Sequence, residues 1–544
     1  MGSRSNAFRK DKYMFRLNLT RLVLLLFFAG SFTARAQFFD ENMQKLQMTW
    51  QLINAFYVDT VNDEKLTENA IVAMLKTLDP HSVYISADEV KAMNEPLDGS
   101  FEGIGIEFNI LNDTLMVVNP IAGGPSEKVG IMAGDRIITV DGENIAGVGL
   151  KNSDVFKLLR GAKGTTVSLG IKRKGEKELL TFLVERDKIP IFSVDAAYMA
   201  APETGYIRIS RFAMTTDDEF KEAVEKIKTE GKFRNLILDL RGNGGGYLKA
   251  AIDIADELLD GKHMIVYTEG KSSPKKDYYS TNNGLYQSGK LIVLIDEGSA
   301  SASEIVSGAI QDWDRGVIMG RRSFGKGLVQ RPFSLPDGSM IRLTVAKYYT
   351  PSGRCIQKDY THGLEAYQME VYERAKDGEL FSKDSVRLAD SLVYKTKVLG
   401  RTVYGGGGIM PDVYVPMDTS MYSDYYRDLV ATGVLNRFAL NYVDSKRSSL
   451  ESKYPDFKTF STTFKVDDAL MAELIARGEK AGVKKNEEDL KKSENHIRTQ
   501  LKALIARDLW STSEYFRIIN PLNNVYKKAV EMIRNDKSYS DILE

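Results

Sequence analysis

The chain has 544 residues, 43% of them apolar and 27% charged, and Lys plus Arg equal Asp plus Glu at 74 each. That balance is globular and long enough for roughly three or four domains, and it excludes the net field that draws in nucleic acid or an anionic membrane. One cysteine, Cys355, and four scattered histidines exclude a disulfide framework and give no support to a metal centre, so no metal or cofactor is expected.

Arg4, Arg9, Lys10, Lys12, Arg16 and Arg21 precede LVLLLFFAGSF, and Ala34-Arg35-Ala36 follows. A basic stretch, a short apolar core and an A-x-A site predict a signal peptide over 1–36 and hence export. An uncleaved, membrane-associated signal is the alternative. Residues 37–98 carry apolar residues at helical spacing, interrupted at Pro80 in LDPHSVYI. Residues 99–190 change to strand-like runs, FEGIGIEFNI to ELLTFLVER, with tight turns such as Asp141-Gly142. From 191 to 416, short apolar strands (GYIRISRF, NLILDL, KLIVLIDEG, RGVIMG, SMIRLTVAKYY) alternate with helical patterns. Alternation of that kind predicts a largely parallel, buried sheet. Residues 363–400 are charged and read as an insert within this domain. Residues 417–544 are rich in Lys and Glu at helical spacing.

The stretch GRRSFGKGLVQ, Gly320 to Gln330, admits three readings. Gly320, Gly325 and Lys326 have P-loop spacing, but Gly327 replaces the Mg²⁺-binding hydroxyl and no helix pattern follows. Ser323 and Lys326 have the S-x-x-K spacing of penicillin-binding proteins, without the companion S-D-N and K-T-G. Third, Lys326 lies among Phe324, Leu328 and Val329, and burial there favours the neutral amine that a general base needs. Gln330 follows on the same face of an extended segment, where its amide oxygen can hold that amine without adding charge.

The serine such a base would serve lies upstream. LIVLIDEGSASASEIVSGAIQDW runs strand, small-residue turn, helix, with Ser299, Ser301 and Ser303 at the turn. A turn of that kind exposes a hydroxyl beside unpaired helix N–H groups that can stabilise an oxyanion. Helix capping is the plain role for any of the three. Asp312 follows Ser301 by eleven residues, about 16 Å along a helix, and reads as structural. Gly244, Gly245 and Gly246 end a buried strand, where glycine permits close backbone approach.

LDPHSVY, FEGIGIEF, AGDRIITVDG, LILDLRGNGGG, GSASASEI, SFGKGLVQ, YYTPSGR and GGIMPD stand in the order found in the C-terminal processing peptidases. From about residue 50 to 416 the chain resembles that family of serine proteases with a Ser–Lys pair. The resemblance implies an α/β fold with a crotonase-like protease core, an inserted PDZ domain over 99–190, and helical regions at both ends. It implies Ser301 as nucleophile, Lys326 as base and Gln330 as the residue orienting Lys326. It further implies an oxyanion hole from the Gly245 and Ala302 N–H groups. The PDZ carboxylate loop would be Gly103-Ile104-Gly105-Ile106, with Arg136 a candidate sensor of bound peptide. The implied partners are protein substrates held by their C-termini, and the implied destination is the periplasm. The helices of 417–544 lie outside the family core, and would pack on it, self-associate or take an adaptor. Two other readings stand beside the protease: a silent PDZ scaffold on a protease fold, and an acyltransferase using Ser323.

Overall fold

A computed structural model describes residues 41–121, 123–387 and 392–543. The signal-peptide reading of 1–36 lies outside the described residues. The chain divides into two units, one ending at Met74 and one running from Leu75. In the first, α1 (Glu41–Phe56) buries no side chain; α2 (Asp63–Lys76), which starts in this unit and ends two residues past it, opens on acidic residues that suit a helix N-terminus.

In the second unit, the first feature is the expected break at Pro80. The break leads into a strand, β1 (Val83–Ile85), and then α3 (Ala87–Asp98), which Gly99 ends at φ 72. Two strands then enclose a module like a stem. β2 (Ser100–Gly103) enters it and β9 (Asp187–Pro190) leaves it, paired antiparallel from Ser100↔Pro190 to Gly103↔Asp187. Inside lie β3 (Ile106–Ile110), β4 (Leu115–Pro120), α4 (Pro125–Lys128), β5 (Arg136–Val140), β6 (Glu143–Asn144), α5 (Asn152–Leu159), β7 (Thr166–Lys172) and β8 (Leu180–Glu185). They form an antiparallel sheet in the order β3-β4-β5-β7-β8, with β6 on β5. Leu115, Val117, Ile137, Leu169 and Val155 make its own core.

The central sheet runs β10 (Val194–Ala201), β11 (Thr204–Ile209), β12 (Asn235–Asp239), β15 (Leu291–Ile295), β16 (Val317–Gly320), β21 (Val413–Tyr414). All neighbours from β11 onward are parallel, as the strand–helix alternation predicts; β10 is an antiparallel edge. One face packs on α6 (Thr216–Glu230), α7 (Leu248–Leu258) and α8 (Ala302–Asp312) around Ile207, Leu238, Val293 and Ile305. SMIRLTVAKYY does not join this sheet. It is β18 (Met340–Tyr349), the spine of a second, antiparallel sheet with β1, β13 (Met264–Gly270), β14 (Ser273–Tyr279) and β17 (Leu328–Ser334). A hairpin partner lay close at hand in β17, so no crossover helix is needed.

The charged insert folds as α9 (Gly363–Lys376), a short 3₁₀ turn, and the hairpin β19 (Val393–Lys395) with β20 (Thr402–Tyr404). Eight helices follow: α10 (Asp424–Ala431), α11 (Val434–Lys453), α12 (Phe457–Thr463), α13 (Asp468–Lys480), α14 (Glu487–Leu509), α15 (Thr512–Ile519), α16 (Asn524–Arg534) and α17 (Asp536–Ser540). Of the three roles open to them, packing on the core is observed. Val525, Tyr526, Ala529 and Ile533 of α16 cover the second face of the central sheet against Ile237, Ile292 and Met319. The helices α10 to α14 bury a separate cluster of their own, including Leu429, Phe460, Leu474 and Leu501. No described helix is long and apolar enough to cross a membrane.

Candidate active site

The site forms at the C-terminal ends of β12 and β15. β15 ends at Ile295, turns through Asp296–Ala300, and reaches Ser301 directly before α8. Ser301 has φ 55 and ψ −110, a conformation that side-chain-bearing residues avoid. Such strain persists only where the surroundings hold it, and it marks functional turns. The other two candidates are committed. Ser299 and Ser303 are fully buried, Ser299 Oγ donating to Leu240 O at 2.8 Å and Ser303 Oγ to Asn243 O at 2.8 Å. They brace the glycine loop that follows β12.

That loop lies against Ser301. A Cβ on Gly245 would come within 2.8 Å of Ser301 Cβ and 3.0 Å of Ala302 N, so only glycine fits at φ 102. The loop is pinned by Asn243, which sequence reasoning passed over. Its Nδ2 donates to Ile209 O at 2.9 Å, and its backbone oxygen accepts from Ala300 N–H at 2.9 Å. Its Oδ1 accepts from Gly245 N–H at 2.9 Å. The expected oxyanion pair is therefore incomplete in this arrangement. Ala302, the first residue of α8, has no intrahelical acceptor for its N–H. Gly245 N–H already has one.

Ser301 and Lys326 are joined through a residue that the sequence did not single out. Glu304, fully buried, accepts at Oε2 from both Ser301 N–H (2.8 Å) and Lys326 N–H (2.9 Å). At Oε1 it accepts from Ser323 Oγ (2.5 Å) and Gly325 N–H (2.7 Å). Burial pushes its carboxyl up to about 7, against the bonds from Ser323, Lys326, Gly325 and Ser301 that hold it down. Tyr348 Oη adds a second tie, 3.0 Å from Ser301 O and 2.6 Å from Lys326 O. The S-A-S-E run opening a helix was the signal for Glu304: it is a capping-box position.

Burial pulls the Lys326 amine down to about 8; Arg342 lowers it further, while Glu304 and Asp79 oppose. His81 lies beside it, lowered to about 4 mainly by burial and next by Lys326, with Nε2 2.9 Å from Tyr367 Oη. Tyr367 comes from α9, so the charged insert reaches the site. Gln330 sits in β17 with its Nε2 on Thr344 Oγ1 at 3.2 Å.

The competing readings of GRRSFGKG find no support in the structure. Lys326 is followed by the strand β17 where a P-loop needs a helix. Ser323 is fully buried, donates to Glu304 and accepts from Ile409 N–H at 2.6 Å, so it has neither the exposure nor the free hydroxyl of a nucleophile. Asp312 is structural as expected: it is fully buried and bonds Arg354 Nη2 and Ser352 N–H, each at 2.8 Å.

In the inserted module, Gly103 to Ile106 form the turn between β2 and β3, beside Phe156 and Arg160 in an apolar groove. Gly105 has φ 74, and a Cβ there would meet Ile189 at 2.8 Å. Arg136, the candidate sensor, does not line this groove. It donates to Asp444 of α11 at 2.7 Å, near the contact of Leu111 and Met116 with Leu440. The arginine at the groove is Arg160, paired with Glu95 and lying over the rings of Phe101 and Phe156.

Known proteins match this layout segment by segment. Residues 203–365 match the peptidase family S41, and 103–184 match the PDZ domain. Residues 30–89 match the N-terminal domain of the activating protease CtpB, and 425–511 match a family of unknown function. The carboxy-terminal processing protease CtpB of Bacillus subtilis is 38% identical over 324 residues, 59% of this chain and 66% of that protein. The carboxy-terminal-processing protease of Bartonella bacilliformis is 40% identical over 312 residues, 57% of this chain and 71% of that protein. The matched stretch thus spans about two thirds of the length of these curated relatives. Among solved structures, the photosystem II D1 C-terminal processing protease is 31% identical over 56% of this chain and 88% of its own, with a TM-score of 0.32.

The class is that of the serine peptidases. Within it, the chain belongs to peptidase family S41, with the carboxy-terminal processing proteases that its curated relatives represent.

Proposed function

We propose that this chain is an exported, periplasmic endopeptidase that holds protein C-termini on its PDZ module and cleaves with a Ser301–Lys326 pair. The observation that carries the reading is the shared Glu304 oxygen, which fixes the backbones of Ser301 and Lys326 to one atom. The strained Ser301 and the lowered Lys326 amine support it. The helix-flanked central sheet fits the crotonase-like core that the family resemblance implies.

Extended substrate enters with its C-terminal carboxylate on the N–H groups of Gly103 to Ile106, its last side chain against Phe156 and Val155. Neutral Lys326 takes the Ser301 Oγ proton as Oγ bonds the peptide carbonyl carbon. Ala302 N–H stabilises the developing oxyanion; Gly245 N–H joins it on leaving Asn243 Oδ1. The Lys326 ammonium returns the proton to the leaving amine as the C–N bond breaks. Water then cleaves the acyl-enzyme ester, and Ser301 is restored.

The test incubates the chain from residue 37 with an unfolded protein, beside Ser301→Ala, Lys326→Arg and Ser323→Ala. Cleavage by wild type and loss in Ser301→Ala and Lys326→Arg is the expected result. Arg cannot serve as a neutral base, so a fully active Lys326→Arg overturns the mechanism. If wild type fails to cleave with any added C-terminal peptide, the chain is a silent scaffold.

A further inference from the structure

The LDPHS turn does more than lead into β1. We propose that Asp79 and Thr344 are positioning residues that fix which end of the Gln330 amide faces the Lys326 amine. The proposal rests on the Ser301–Lys326 reading and adds to it a part that neither motif order nor relatives assign.

Hydrogen-bond donors and acceptors decide the amide's orientation. Thr344 Oγ1 lies 3.0 Å from Asp79 Oδ1, and a carboxylate only accepts. The single hydroxyl hydrogen of Thr344 is therefore spent on Asp79. Toward any other neighbour, Thr344 Oγ1 can only accept. That neighbour is the Gln330 amide, at 3.2 Å. The amide must present its NH₂ end there, because the flipped amide would set oxygen against an oxygen with no hydrogen to share. Oε1 is left as the end available to Lys326, four residues earlier in the chain.

The relay is held on every side. Asp79 Oδ1 also accepts from His81 N–H (2.8 Å) and Ser82 N–H (3.0 Å), and Oδ2 accepts from Ser82 Oγ (2.5 Å). Ser82 Oγ in turn accepts from Thr344 N–H at 3.1 Å, tying the turn to β18. Gln330 and Thr344 face each other across the ladder through an irregularity in register. Val329 pairs with Ala346 and Gln330 with Thr344, so Val345 is passed over. A bulge of this kind re-aims side chains, and here it puts Gln330 and Thr344 opposite each other.

The charged and titratable groups acting on the Lys326 amine are Arg342 of β18, Glu304 of α8, Asp79 and His81 of the turn. Asp79 is thus both the anchor of the relay and a charge that favours the ammonium form. The two roles separate by mutation. Thr344→Val keeps the charge and frees the amide; Asp79→Asn removes the charge, while its amide oxygen, held where Oδ1 meets three donors, still takes the Thr344 hydrogen.

The experiment measures kcat, KM and the pH profile of kcat/KM for the full chain and for Thr344→Val, Thr344→Ser and Asp79→Asn. In parallel, NMR titration of ¹³C-methylated lysine, assigned with Lys326→Arg, reads the Lys326 pKa without turnover. Thr344→Val is expected to lower kcat about 10- to 100-fold with KM and pKa little changed, from misplacement of the base. Thr344→Ser restores kcat. Asp79→Asn moves the Lys326 pKa and the ascending limb to lower pH, with the amide still oriented. Thr344→Val with wild-type kcat overturns the relay; Asp79→Asn with an unmoved pKa removes the charge role assigned to Asp79. Activity surviving in Ser301→Ala removes the underlying reading instead, so the two failures are distinct.

Discussion

Replacing Glu304 by Gln tests whether the site is held by geometry or by charge. The carboxylate receives two donors at each oxygen: Ser301 and Lys326 N–H at Oε2, Gly325 N–H and Ser323 O–H at Oε1. A glutamine must set an NH₂ where one oxygen was. At the Oε2 position it orphans two backbone donors. At the Oε1 position it orphans one backbone donor, Gly325 N–H; Ser323 Oγ can accept from the NH₂, and its rotatable hydrogen must then find another acceptor. The second rotamer is favoured, and one unmet buried donor costs about 1–3 kcal/mol. Loss of the charge itself adds little near neutrality, because burial already holds the carboxyl at about 7. Glu304→Gln therefore unfolds in urea with about 1–3 kcal/mol less stability, yet keeps Ser301 and Lys326 pinned and remains active. Glu304→Ala orphans all three backbone donors and loses activity. The pH dependence has a definite sign. A carboxyl raised from 4.5 to about 7 lends stability that is present below 4.5 and lost as pH rises through 7. Wild type loses that increment and Glu304→Gln does not. An inactive Glu304→Gln with unchanged stability would refute the reasoning, because charge rather than placement would then be what matters.

Three further outcomes follow from the structure. Because Lys326 must be neutral and its amine is lowered to about 8, kcat/KM rises with pH through an ascending limb near 8, and a profile flat from about pH 6 to 9 contradicts this base. Asp312→Asn leaves the fully buried Arg354 without its counter-charge and destabilises by about 3–5 kcal/mol in chemical denaturation; wild-type stability with lost cleavage would give Asp312 a chemical role. Gly105→Ala meets both a left-handed backbone and Ile189, so binding of a fluorescent C-terminal peptide, followed by anisotropy, weakens about tenfold or more; unchanged affinity places the carboxylate elsewhere.

The sequence made much of the frame legible. Strand–helix alternation foretold the parallel ladder from β11 to β21, and strand runs with tight turns foretold the inserted sheet. Residues 340–349 read as a strand of the parallel sheet but pair instead with β17 beside them, with β13, and with residues 83–85 more than 250 residues away, across the second sheet. Local pattern shows that a segment is extended, not which sheet it joins. The charged insert gave no site residue in the sequence reading, but Tyr367 on its helix reaches His81. Arg136 looked available to a peptide, but a helix 308 residues later holds it.

The residue chemistry is readable from the chain alone: a serine at a strand-to-helix turn, a lysine among apolar neighbours, glycines where backbone must come close. Those follow from local sterics and burial, which a few neighbouring residues decide. Which hydroxyl is spent and which is left depends on contacts made across the fold. Ser299, Ser303 and Ser323 each use their one hydrogen on a distant acceptor, while Glu304 gathers Ser301 and Lys326 at one oxygen. The reason is physical: a buried polar group must find a partner, and folding alone brings that partner within reach.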